Sequence, residues 1–163
     1  MCIFIEVAVA GYRGDAAQPF RERRLVAEPL TSEPGIPTAN GTRLSVTDGH
    51  CACSVYAGNS AKTRFDDGEE RGRYLRKGWS QSKIDRAIEA KRASHERPAR
   101  EREHVNAFVA AIQELTTGGA SLTLLASDVN SSFHISGTAR LPLGEFVSRG
   151  GDFPQNTLVS IDR

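Results

Sequence analysis

Arg43-Leu44-Ser45-Val46-Thr47-Asp48-Gly49-His50-Cys51-Ala52-Cys53-Ser54-Val55-Tyr56 carries the strongest local signal in this chain. Two alternating runs, 43–47 and 50–56, flank Asp48-Gly49. An Asp-Gly pair between such runs predicts a two-residue β-hairpin, because both central residues must tolerate positive φ. In that register Thr47 faces His50, Val46 faces Cys51 and Leu44 faces Cys53. Both thiols then share the side of Val46 and Leu44. Free cysteine is among the most buried residue types, so they are expected to face the core.

Upstream, residues 2–10 are largely apolar at both alternating sets of positions, the pattern of a central strand covered on two faces. Gly11 and Gly14 end that run, and Pro19 is placed to open a short helix over 19–28. Three prolines and two glycines within 29–41 exclude a helix or a ladder strand there and leave a long loop. Downstream, 57–73 reads as turn-like and charged. Ser80 caps a predicted helix that runs to about residue 94. Pro98 precedes a second helix reaching residue 117, with Val105, Phe108, Val109, Ile112 and Leu115 as a core-facing stripe. Gly118-Gly119 stops it. Strands are expected over 121–127, 133–141 and 157–161, with a short helix over 144–149.

Up to residue 127 the predicted order is strand, helix, strand, strand, helix pair, strand. This is the order of the ferredoxin-like, split β-α-β fold. The expectation is a single α+β domain over 1–163, with an antiparallel sheet, helices on one face and C-terminal additions. Twenty-one basic against 20 acidic residues give a formal charge of +1, which excludes nucleic-acid binding through bulk positive charge alone. Three cysteines, an odd number, exclude a disulfide-stapled secreted scaffold and suit a reducing compartment. No apolar run approaches the ~18 residues of a membrane span. The start Met1-Cys2-Ile3-Phe4-Ile5-Glu6 lacks a basic lead-in and places a carboxylate where a signal peptide is apolar. A soluble, cytoplasmic protein without a membrane partner is therefore expected.

Gly49-His50-Cys51-Ala52-Cys53 is the densest group of soft ligands in the chain. Thiolate and imidazole suit zinc or another soft divalent metal, and two thiols also suit redox chemistry. In an extended strand, however, His50 points away from the side shared by Cys51 and Cys53. The two Cα atoms would lie roughly 6.5–7 Å apart, at or beyond disulfide range. A closed zinc site wants four ligands, and no second knuckle is present. Cys2 does not supply a further ligand in this layout. Antiparallel pairing takes it to the Tyr56 end, roughly 15 Å from Cys51 at strand rise. His134 is another imidazole on a predicted strand, where surface or satisfied-core histidines are the common case.

Cys2 carries a separate expectation. Removal of Met1 would leave a thiol beside its own α-amine, the logic of an N-terminal nucleophile hydrolase. Met1-Cys2-Ile3 resembles the start of class II glutamine amidotransferases, which implies a nucleophilic role for Cys2. The family pattern has Gly after the cysteine where this chain has Ile3, and its further motifs are missing. The competing reading is a cysteine at the start of a strand.

Between Arg71 and His104 there are eleven Lys or Arg and five acids, a local charge of +6. The functional reading is a phosphate-tracking face with Tyr74 and Trp79 free to stack on bases. The competing reading is a solvated helix surface, since Arg92–Glu96, Glu96–Arg100 and Arg97–Glu101 have ion-pair spacing. Arg71, Arg73, Arg76 and Lys77 fall outside those pairs, so a nucleic-acid surface would centre there. Asp15, Asp48 and Asp128 occupy turns or strand ends where a metal-dependent nuclease could hold carboxylates, and where aspartate is also favoured by turn chemistry. Phosphate loops, zinc-protease helices, EF-hand loops and nucleophile elbows are absent from the sequence.

The leading expectation is a small soluble binding module whose special site is the 48–53 turn, with Cys51 and Cys53 as ligands or reactive thiols and His50 assisting. The alternatives are a nucleic-acid-binding protein or nuclease acting through 71–77, and a hydrolase acting through Cys2. The partners left open are nucleic acid and a second copy of the chain in a homodimer.

Overall fold

Ile3, Ile5, Val7 and Val9 alternate with Phe4, Glu6, Ala8 and Ala10, so this segment needs cover on both faces. The computed structural model describes residues 3–31, 36–37, 41–57, 67–95, 99–128 and 134–163, the side chains of 92–95 and 99–102 excepted. In it the segment is β1 (Ile3–Ala10), in the interior of a six-stranded open sheet. The other strands are β2 (Val26–Pro29), β3 (Gly41–Thr47), β4 (Ser121–Asp128), β5 (Gly137–Pro142) and β6 (Thr157–Asp162), in the order β2-β3-β1-β4-β6-β5. Five α-helices accompany them among the described residues: α1 (Gln18–Arg21), α2 (Asp67–Arg76), α3 (Gln81–His95), α4 (Ala99–Thr117) and α5 (Leu143–Ser148). The protein is mixed α+β.

The odd-numbered side chains of β1 meet Phe20 of α1, Phe108, Ile112 and Leu115 of α4, and Phe146 of α5 in one apolar cluster. Phe108 lies between Phe20 and Phe146, with ring centroids 6.0 and 6.5 Å away. Each large apolar side chain buried there contributes about 1.5–3 kcal/mol. The α4 stripe expected from the 3-4 spacing is this contact surface, with Val105, Phe108, Val109, Ile112 and Leu115 all buried.

On the opposite face Ala8 and Leu125 pack against Ile36. The same face buries Glu6, whose Oε1 accepts hydrogen bonds from the Ile36 N–H at 2.8 Å and the Arg43 Nε at 2.5 Å. Tyr74, Ile84 and Ile88 form a further cluster where α2 and α3 pack on each other. The expected single helical layer is therefore α1, α4 and α5 against the sheet, with α2 and α3 built around their own contacts. No helix among the described residues is long and apolar enough to cross a membrane.

Four sequence expectations are corrected. The sheet is not wholly antiparallel, because β5 and β6 pair in parallel. α5 lies between them in sequence, and a helical crossover is what joins parallel neighbours. The helix expected over 19–28 is a single turn. Arg24 reverses the chain at φ +62°, the Leu25 N–H closes onto the Phe20 carbonyl at 3.0 Å, and 26–29 continues as an edge strand. Pro29 ends that strand, an edge location that spares it a ladder hydrogen bond.

The charged stretch read as turn holds α2. Asp67, Glu69 and Glu70 sit in its first turn and Arg73 and Arg76 in its last, which complements the helix dipole. Lastly, the Asp48-Gly49 hairpin does not form. β3 pairs with β1 on one edge and β2 on the other, so no edge remains for 50–56. Gly49 has φ +96°, but Asp48 is not in the positive-φ region that the two-residue turn demands of both residues.

Candidate functional site

Asp48 closes the segment that follows β3. Its Oδ1 accepts hydrogen bonds from the N–H groups of His50 and Cys51, both at 2.9 Å. Cys51 is thereby held extended (φ −153°, ψ 147°) as the N-cap of a single 3-10 turn, Ala52–Ser54. Its Sγ accepts the Cys53 N–H at 3.2 Å, in the way a serine oxygen caps a helix. Ala52 and Val55 are buried in the main cluster, so the turn is anchored by its apolar neighbours while both sulfurs remain half-buried.

The tightened backbone brings the thiols together. Cys51 Sγ and Cys53 Sγ are 2.8 Å apart, against about 2.05 Å for a covalent disulfide. The expected disulfide-incompatible spacing assumed strand rise. A 3-10 segment advances only about 2.0 Å per residue and rotates the side chains toward one another. The start of β1 also lies here, for the Ile3 N–H donates to Cys53 Sγ at 3.2 Å. Cys2 itself lies outside the described residues.

Burial opposes ionisation of Cys51. The contact from Cys53 and the N–H groups of Cys53 and Ile3 outweigh both burial and the nearby Asp48 charge, and hold the thiol below its usual range. A thiol with lowered pKa is the nucleophilic kind. Asp48 follows the same pattern: burial pushes its pKa up, but the N–H groups of Cys51 and His50, the Ser54 side chain and His104 bring it down to about 2.

His104 is the residue that sequence reasoning passed over. It lies on α4 beside the core stripe and brings Nδ1 to 3.6 Å from Asp48 Oδ2, with side chains only 13% and 15% exposed. Its place next to Val105 marks the edge of a buried helical face, but nothing in the sequence pairs it with a turn so far upstream.

The metal expectation finds no assembled donor set. His50 is exposed. Among the described residues no three His, Cys, Asp or Glu side chains gather as ligands. His134 is exposed as well. Asp15 is engaged with Arg21 at 3.0 Å and with the Ala17 N–H at 2.9 Å.

The basic segment is also engaged. Arg71 pairs with Asp85 at 2.6 Å and Arg73 with Glu70 at 3.4 Å, whereas the sequence scheme left both unpaired. Arg76 and Lys77 are exposed. Tyr74 and Trp79 stack on each other at 4.5 Å with Lys83 over the indole, so these faces are already taken. The ion pairs expected between residues 92 and 101 lie outside the described side chains. Comparison of the chain with known protein families, curated proteins and solved structures gives no match.

Proposed function

We propose that this protein is a thiol-disulfide exchange module acting through Cys51 and Cys53. The observation that supports the reading is the 2.8 Å contact between the Cys51 and Cys53 sulfurs on a capped turn. In this reading Cys51 is the attacking group, its thiol being held low by sulfur and backbone N–H contacts. With a disulfide R–S–S–R′ as substrate, the Cys51 thiolate displaces R′S⁻ and forms a mixed disulfide with RS. Cys53, as thiolate, then attacks the Cys51 sulfur, releases RS⁻ and closes the Cys51–Cys53 disulfide. The released thiolates take up the two protons lost by the cysteines, and the substrate is reduced by the two electrons that the protein gives up. The reverse sequence oxidises a dithiol substrate.

A dithiol of this kind suits a reducing compartment, so cytoplasmic location belongs to the same reading. The ferredoxin-like framework belongs to it as well. Strands in the order β2-β3-β1-β4, each antiparallel to its neighbours, support a split β-α-β core extended by β6 and β5.

The test equilibrates a Cys2→Ser variant, which leaves Cys51 and Cys53 as the only thiols, with glutathione redox buffers. Mass spectrometry is expected to find an intramolecular disulfide that titrates with the buffer. Single-turnover alkylation is expected to modify Cys51 ahead of Cys53. Two thiols that react as slowly as ordinary free cysteine and never close on each other would overturn the proposal.

A further inference from the structure

We propose that Asp48 is the positioning residue of this dithiol, holding the Cys51 segment through the adjacent backbone N–H groups of His50 and Cys51 while His104 of α4 lies against its other carboxylate oxygen. The inference rests on the thiol-exchange reading and adds what sets the geometry of the pair.

The two oxygens divide the work. Oδ1 takes the N–H groups of His50 and Cys51. Oδ2 faces His104 Nδ1 at 3.6 Å, beyond hydrogen-bond length, and that buried Nδ1 has no hydrogen-bond partner. The Ser54 hydroxyl lies within reach of both this carboxylate and the Cys51 carbonyl, 3.2 Å away, and its single proton serves one of the two at a time. The Cys51 backbone is therefore held extended, and the side-chain position it adopts sets the sulfur over the turn. There Sγ meets both the Cys53 N–H and the Cys53 sulfur. Removing the carboxylate frees two backbone donors to seek water and releases the extended conformation at Cys51. Helix and turn caps of this type lose about a factor of ten when the acceptor becomes alanine.

The charge works against the thiolate while the shape works for it. Negative charge on Asp48 disfavours a second negative charge on Cys51. Asparagine keeps an Oδ1 acceptor and removes the charge, so it should preserve the placement. Alanine removes both.

The experiment uses the Cys2→Ser chain as background and measures two quantities for Asp48→Asn, Asp48→Ala and His104→Ala. One is the Cys51–Cys53 disulfide equilibrium against glutathione, and the other is the iodoacetamide rate of Cys51. Thermal melts accompany both. Asp48→Ala is expected to weaken closure about tenfold and slow alkylation. Asp48→Asn should close within about threefold of the parent and alkylate at least as fast. His104→Ala should fall between the two. If Asp48→Ala does not fold, Asp48→Glu, whose carboxylate is displaced by one methylene, takes its place in the comparison.

Equal closure in the alanine and parent proteins would overturn the positioning role, as would asparagine failing as badly as alanine. A parent chain that never closes its disulfide overturns the exchange reading instead. The alkylation rates then still decide whether Asp48 places the Cys51 sulfur.

Discussion

Asp48 and Glu6 show how differently two carboxylates can be held. Asp48 sits where backbone donors are plentiful, and its pKa falls to about 2 from an ordinary value near 3.9. A carboxyl group whose pKa is lower in the folded than in the unfolded chain stabilises the fold above its unfolded pKa. That contribution is lost as pH falls through its folded value. Urea midpoints measured between about pH 4 and pH 2 should therefore drop more steeply for the parent than for Asp48→Asn, with the two profiles parallel above pH 5.

Glu6 is held by a guanidinium instead, with side-chain exposures of 1% for Glu6 and 13% for Arg43. Arg43→Ala strands a buried charge and should cost about 3–5 kcal/mol in chemical denaturation. Replacing both partners by apolar residues should cost less, because no charge then remains to be desolvated. In the sequence Glu6 looks like an interruption in an apolar strand. Its partner is two strand positions away across the β1–β3 pairing, since Ala8 faces Arg43, and only that register brings them together.

Among the elements, α4 was legible because five apolar residues on one helical stripe can be buried by almost any neighbour. β1 was legible for a related reason: apolar residues on both faces demand an interior location wherever the sheet lies. α2 and α3 differ in what supports them. Their shared cluster is built from Tyr74, Ile84 and Ile88 with Trp79 and Ala87 packed against it. Regions with few buried contacts open at lower free energy than the core. Native-state hydrogen exchange should accordingly find the amides of 70–90 exchanging well ahead of those of 105–115 and 122–126. Equal protection would mean that the two helices unfold only with the sheet.

At the scale of the molecule the sheet and α4 act together. Leu124 and Ile112 are fully buried in the shared cluster. Leu124→Ala should destabilise by about 2–5 kcal/mol, visible as an equal shift of the far-UV and near-UV unfolding midpoints in urea. Leu75 is 57% exposed, and Leu75→Ala should stay within about 0.5 kcal/mol of the parent.

The turn at 48–53 marks the boundary between what can be read in one dimension and what cannot. The sequence by itself determined that Asp48-Gly49 ends a strand, that residues 99–117 lie against a core, and that glycines stop that helix. Each of these follows from local backbone preference or side-chain periodicity. Only the tertiary structure decided that β3 has both edges occupied, that 50–56 must then coil instead of pairing, that coiling brings two sulfurs into contact, and that His104 comes to face Asp48. A strand's partners and a histidine's neighbours are set by which long-range contacts close first in energy over the whole chain, and no stretch of local sequence carries that information.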